Sequence, residues 1–321
     1  MNKQKTMFDL LGFLAPQTLL PIIDPRLKDK DICISVTAVA PFITDVTTML
    51  SSVNEYCRIL EAQGIHIVLK KSDLQKSGLK VILNLQAPPP FVGFMDKFFD
   101  AGIRICQIAY MEENNFGGGF LAPTARLTDA GRALIAEMEV VGMILDLAHS
   151  GAVTSLDALE IVSRNEMPVI ISHTGAYGEY CNMRNSINDV LQKTVSLGGL
   201  IGIYTLTFGL SKNDNSIAAF EKHMSYILNN IDGAVGSLCI GSDGWFCEDK
   251  GRWSKTYEFL KDKLDPLGLL HVRFPDQIAE LMSPHKLDII YREMCTLFNV
   301  STVKNICYNN GARFFAEALP D

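Results

Sequence analysis

The sequence predicts an α/β protein built as a closed (β/α)8 barrel. Eight short apolar runs rich in Val, Ile and Leu read as strands, at residues 7–11, 32–36, 81–86, 103–109, 143–148, 168–172, 200–204 and 237–243. From about residue 80 onward they alternate with stretches of helical period at 91–101, 128–141, 155–163, 187–197 and 217–230. Hydrophobicity within the runs is continuous rather than alternating, so both faces of each strand are covered, as in a parallel sheet wrapped by helices. Eight such units favour a closed barrel over an open doubly wound sheet. The open sheet is further weakened because no GxGxxG turn follows any candidate strand. The Gly117-Gly118-Gly119 run falls in a long loop and reads as conformational freedom rather than a phosphate cradle.

At 321 residues, 48% hydrophobic and 20% charged, the chain can bury a large core and reads as one domain over residues 1–321. The net charge of −7, with no Lys/Arg-rich stretch, argues against a nucleic-acid partner and for a small-molecule substrate. Eight scattered cysteines without a CxxC pair point to reduced, mostly buried thiols. Lys3 and Lys5 precede an apolar stretch at 8–23, but Asp9 interrupts it and no clear cleavage site follows. No later segment reaches the ~20 apolar residues of a spanning helix. A cytoplasmic protein with no membrane partner is the expectation.

In a parallel barrel the active site lies at the carboxyl ends of the strands, so polar residues just after an apolar run are the candidates. His149, His173, Asp243 and Gln86 stand there. A single histidine at a strand end is more often a hydrogen-bonded rim residue than a ligand. Two histidines ending successive strands, with an aspartate on the last, converge on one cavity and suit Zn²⁺ binding or water activation.

The wording around these residues goes further. The segments 143–149 (MILDLAH), 168–173 (PVIISH), 183–185 (MRN), 198–202 (GGLIG) and 240–244 (IGSDG) resemble, in order, signature segments of the renal (membrane) dipeptidase family. LTDAGR at 127–132 and NGARF at 310–314 are also similar to it, and the resemblance covers roughly residues 79–318. It implies an amidohydrolase-type metal-dependent barrel that hydrolyses dipeptides or similar small amides with two zinc ions. It also implies that His149 and His173 bind one zinc and that Asp243 moves the proton of the metal-bridging water. Arg184 would receive the substrate carboxylate, a task its planar fork suits independently. Family members commonly dimerise, so a homodimer is the assembly implied.

The match then fails at specific places. The family's first strand ends in a His-x-Asp pair; here Leu11 and Phe13 hold those positions, and Asp9 matches an aspartate ahead of the pair. The family's bridging glutamate aligns with Gln86, and a substrate-contacting histidine aligns with Tyr110. A neutral amide is a poor substitute for a carboxylate shared by two cations. The expectation is therefore at most one zinc ion, on His149 and His173 with a third ligand from Asp243, Gln86, Glu112 or Glu113. Two functions are consistent with this: an impaired mononuclear hydrolase, or a metal-free relative that binds a small carboxylate ligand or catalyses another reaction.

Overall fold

A computed structural model describes residues 6–14, 23–248, 261, 265, 268–273 and 276–321. All eight expected strands form: β1 (Met7–Asp9), β2 (Ile32–Val39), β3 (Leu79–Leu85), β4 (Ile103–Gln107), β5 (Ile144–Asp146), β6 (Val169–Thr174), β7 (Leu200–Ile203) and β8 (Leu238–Ile240). They pair in parallel in the order β2-β1-β8-β7-β6-β5-β4-β3, and β2 pairs with β3 to close the ring. The closed barrel is the fold.

Helices follow the strands. They are α1 (Val46–Ala62), α2 (Met95–Asp100), α3 (Asp129–Val141), α4 (Ala152–Asn165), α5 (Asn188–Ser196), α6 (Ile217–Asn230), α7 (Lys286–Leu297) and α8 (Asn310–Ala318). Sequence periodicity had located α2 to α6 but not α1, α7 or α8. Local signals set their ends: Asp45 caps α1 by accepting from the Thr48 amide, and Thr128 caps α3 through the Gly131 amide. Gly142 closes α3 at φ 76°, a left-handed turn that glycine adopts without penalty.

The core has two parts. Phe8, Cys33, Ile82, Ile105, Ile144, Ile170, Leu200 and Cys239, one residue from each strand, form one buried cluster with Phe314 and Phe315 of α8. A larger cluster fills the space between strands and helices. The ladders of β5 and β8 are shorter than the apolar runs that predicted them. The backbone leaves the β region just beyond, at His149 (φ 66°) and Asp243 (φ 51°). Such left-handed conformations are uncommon for non-glycine residues and persist only where the surroundings enforce them. Four cysteines are buried, three partly buried and Cys181 exposed, all as free thiols. Among the described residues no helix is long and apolar enough to cross a membrane.

His223 of α6 ties down the segments beside the mouth. Its Nδ1 accepts from the Ala176 amide and its Nε2 donates to the Leu210 carbonyl, both at 2.9 Å. This requires a neutral ring, and burial lowers its pKa to about 4. Between pH 4 and 6.5 the unfolded chain therefore holds more protons at this site than the folded one, so stability falls as pH falls through that window. The lost contribution is about 3 kcal/mol. In His223→Gln, the slope of unfolding free energy against pH over this window should drop by up to ~1.4 kcal/mol per pH unit relative to the parent. Urea titrations at several pH values read it, and an unchanged slope would refute the assignment.

Candidate active site

The site is assembled from buried carboxylates that latch one strand end to the next. Asp146, at the end of β5, accepts from the amides of Ala148 (3.0 Å) and Ser172 (2.9 Å), the Ser172 hydroxyl (2.5 Å) and the Gln107 side-chain amide (3.0 Å). Asp9, at the end of β1, repeats the pattern. It accepts from the amides of Leu11 (3.2 Å) and Ser242 (2.8 Å) and from the Ser242 hydroxyl (2.6 Å). Burial pushes both carboxyls above their ordinary range, and these hydrogen bonds pull them back. His173 and Asp243 are the residues that immediately follow the two latched serines. Glycine is required beside one of them: a Cβ at Gly241 would lie 1.9 Å from the Ser172 carbonyl oxygen, and one at Gly202 2.1 Å.

Ser172 fixes the tautomer of His173. Its single proton goes to Asp146, so its oxygen accepts from His173 Nδ1 at 2.8 Å, and His173 Nε2 is left bare. His149 Nε2 lies 2.9 Å from that atom and donates to it. His149 Nδ1 then carries a lone pair, and it is buried without a partner. Both rings are held neutral: burial pushes their pKa values well below the ordinary histidine range, and Arg184 adds to the shift.

Asp243 Oδ2 stands 3.9 Å from His173 Nε2. Its carboxyl is raised to about 7, by burial first and by Asp276 and Asp9 in addition, against the opposing pull of Arg184 and Lys286. The Tyr110 ring stacks on His149 with centroids 4.2 Å apart, and Phe42 meets its far edge. Gln86 is buried directly after β3. Glu112 and Glu113 are exposed.

Arg184 is no surface arginine. It is 5% exposed, set between the rings of Phe120 and Tyr204 at 5.6 Å from each, and its Nη2 is buried without a partner. A cavity of about 400 Å³ lined by Phe120, His149, Tyr177, Met183 and Arg184 opens in front of it. A buried guanidinium nitrogen without a partner, on a residue that lines a cavity, is a ready donor for a ligand oxygen.

The sequence had grouped His149, His173, Asp243, Arg184, Tyr110 and Gln86; the structure brings the first five together, and for Gln86 it shows only burial just after β3. It missed the latches and Lys286. Asp146 and Ser172 lay inside apolar strand runs, and nothing in the sequence reading singled out Lys286.

The model of the membrane dipeptidase family, peptidase family M19, matches residues 26–247. This chain belongs to that family. Dipeptidase 3 of Rattus norvegicus is 27% identical over 278 residues, covering 82% of this chain and 54% of the relative. An uncharacterized dipeptidase of Schizosaccharomyces pombe is 25% identical over 181 residues, covering 54% and 43%. The chain spans about half the length of these relatives. Among solved structures, an amidohydrolase from Pseudomonas aeruginosa superposes with a TM-score of 0.77 at 18% identity, covering 98% of this chain and 96% of that one. A Rhodobacter sphaeroides metallopeptidase carrying a phosphinate mimic of L-Ala-D-Ala gives 0.72 at 14%, covering 98% and 99%. These structural likenesses establish the fold.

The family is metal-dependent, and the donor set here fits that requirement only in part. Among the described residues no group of three or more His, Cys, Asp or Glu side chains is placed to hold a metal ion. A histidine ligand normally donates its second ring N–H to an acceptor that fixes the ring. His173 has that support from Ser172 and Asp146; His149 has none at Nδ1. Leu11, at one of the lost first-strand positions, is fully buried.

The latch can be tested without substrate. Ser172→Ala should lower the unfolding free energy by about 1–3 kcal/mol, because Asp146 loses a donor and His173 an acceptor in the dry interior. Ser150→Ala is the control: its buried hydroxyl has no partner, so the change should stay within ~0.5 kcal/mol. Equal costs for the two would contradict the latch.

Proposed function

We propose that this chain hydrolyses dipeptides or similar small carboxylate-bearing amides in the cavity before Arg184, with at most one metal ion, held by His149 and His173. The observation that carries the reading is the unpaired Nη2 of buried Arg184 in the same pocket as His149. A substrate carboxylate there would satisfy the guanidinium through paired hydrogen bonds. The amide would then extend toward His173 and Asp243. A carboxyl raised to about 7 is matched to moving a proton at neutral pH, which a carboxylate of ordinary acidity does poorly. Zinc, where bound, supplies an acidified water; the protein's own residues orient the substrate carboxylate, exclude solvent and receive the proton.

A second reading has its own support. His149 Nε2 donates to His173 Nε2 and Tyr110 stacks on His149, so protein partners already occupy the ring faces and the nitrogens a metal would take, which suits a protein that binds a small carboxylate ligand without a metal.

Dipeptides with a free carboxylate should bind at least ~10-fold more tightly than their carboxamides, and Arg184→Met should erase the difference. Asp243→Asn should reduce turnover at least ~100-fold without weakening binding. Calorimetry and a dipeptide hydrolysis assay read the two effects. Equal affinity for acid and amide would remove Arg184 from the site. Binding without turnover in the parent protein would select the second reading.

A further inference from the structure

Two lysines are buried among the described residues, Lys80 and Lys286, each no more than 1% exposed. Lys80 pairs with Asp31 and the carbonyls of Lys76 and Gly78 at the start of β3. Lys286, the first residue of α7, lies behind the mouth. Its Nζ meets the Ser242 hydroxyl at 3.4 Å and stands 4.6 Å from the Phe246 ring centroid. A Cβ at Gly244 would come within 2.6 Å of that Nζ, so glycine leaves the ammonium its space.

The two carboxylate latches differ in what supports them. Asp146 is stabilised by Ser172, Ala148 and the neutral Gln107 amide. Burial raises the Asp9 carboxyl above its ordinary range, and among the influences that oppose the rise the charge of Lys286 comes first, ahead of Ser242 and Leu11. The influence is mutual: burial lowers the Lys286 pKa to about 8, and Asp9 is the first of the groups that oppose the fall, followed by Cys247 and Asp243. Asp9 as an anion accepts three hydrogen bonds at once, two from Ser242. Protonated, it would need an acceptor of its own and would loosen that grip.

Ser242 in turn sets Asp243. The Ser242 carbonyl accepts from the Thr205 amide (2.9 Å) and hydroxyl (2.8 Å). The Asp243 amide donates to the Leu11 carbonyl (2.8 Å), and its carbonyl accepts from the Gln277 side chain (2.8 Å). A non-glycine residue at φ 51° stays there only when its neighbours leave no alternative.

We propose that Lys286 is a positioning residue: its buried ammonium, set against the Ser242 hydroxyl that donates to Asp9, supplies the positive charge on which the Asp9–Ser242 latch rests, and that latch holds Asp243 in its left-handed conformation at the mouth. This does not depend on the reaction proposed above or on any metal. The charge is the essential feature, so Arg at 286 substitutes and an isosteric apolar side chain does not.

Backbone amide hydrogen exchange tests it on the protein without ligand. Lys286→Met should speed exchange at Leu11, Ser242 and Asp243 at least ~10-fold while Ala148 and Ser172, on the other latch, keep their rates. Lys286→Arg should retain the parent rates. Asp9→Asn combined with Lys286→Met removes both charges and should recover most of the unfolding midpoint lost in the single variant. Exchange that rises equally at both latches in Lys286→Met, or a Lys286→Arg variant that behaves like it, would reduce Lys286 to a packed stem and overturn the proposal. Should Lys286→Met not fold, the double variant decides: folded supports the charge pairing, unfolded refutes it. Each readout is free of substrate, so failure here leaves the hydrolase reading standing, and the reverse.

Discussion

A carboxylate removed from water must be given donors, and the mouth of this barrel is organised around that requirement. Asp9 and Asp146 end their strands inside the protein, and each takes its donors from a serine on the adjacent strand. The cost of leaving either unpaired, several kcal/mol for a buried ion, exceeds what any single apolar contact nearby contributes. Once the serines are fixed, so are the next residues in the chain. That places His173 and Asp243 beside each other, 3.9 Å apart.

The charges around Asp243 bear on the proposal of at most one metal ion. Leu11 and Phe13 offer no donors where the family resemblance places a histidine and an aspartate, and Gln86 offers a neutral amide where it places a carboxylate. Arg184 and Lys286 instead bring protein cations to Asp243, each lowering the pKa that burial raises. Protein cations already facing Asp243 weaken the demand for a second divalent ion there.

Much of this was legible in the sequence, for reasons that differ by element. The strands were readable because both of their faces are covered, which leaves unbroken apolar runs such as 200–204. The amphipathic helices of the second half showed the 3.6-residue period. The site histidines, Asp243 and Arg184 were readable through strand-end position and motif order. What escaped were relations across strands. Nothing local distinguishes Asp146 in an apolar run as a hydrogen-bond hub, or Lys286 as buried rather than solvated, because each depends on a partner more than 25 residues away. The left-handed backbone at His149 and Asp243 was equally invisible, since histidine and aspartate are common in ordinary conformations.

The central proposal is that this family member holds at most one metal ion, on His149 and His173. Elemental analysis of protein purified without chelators or an affinity tag, then equilibrated with excess Zn²⁺ and desalted, tests it most directly. The account predicts no more than one zinc per chain, and none once both His149 and His173 are replaced by alanine. Two zinc ions per chain, or a single one that survives loss of both histidines, would contradict it.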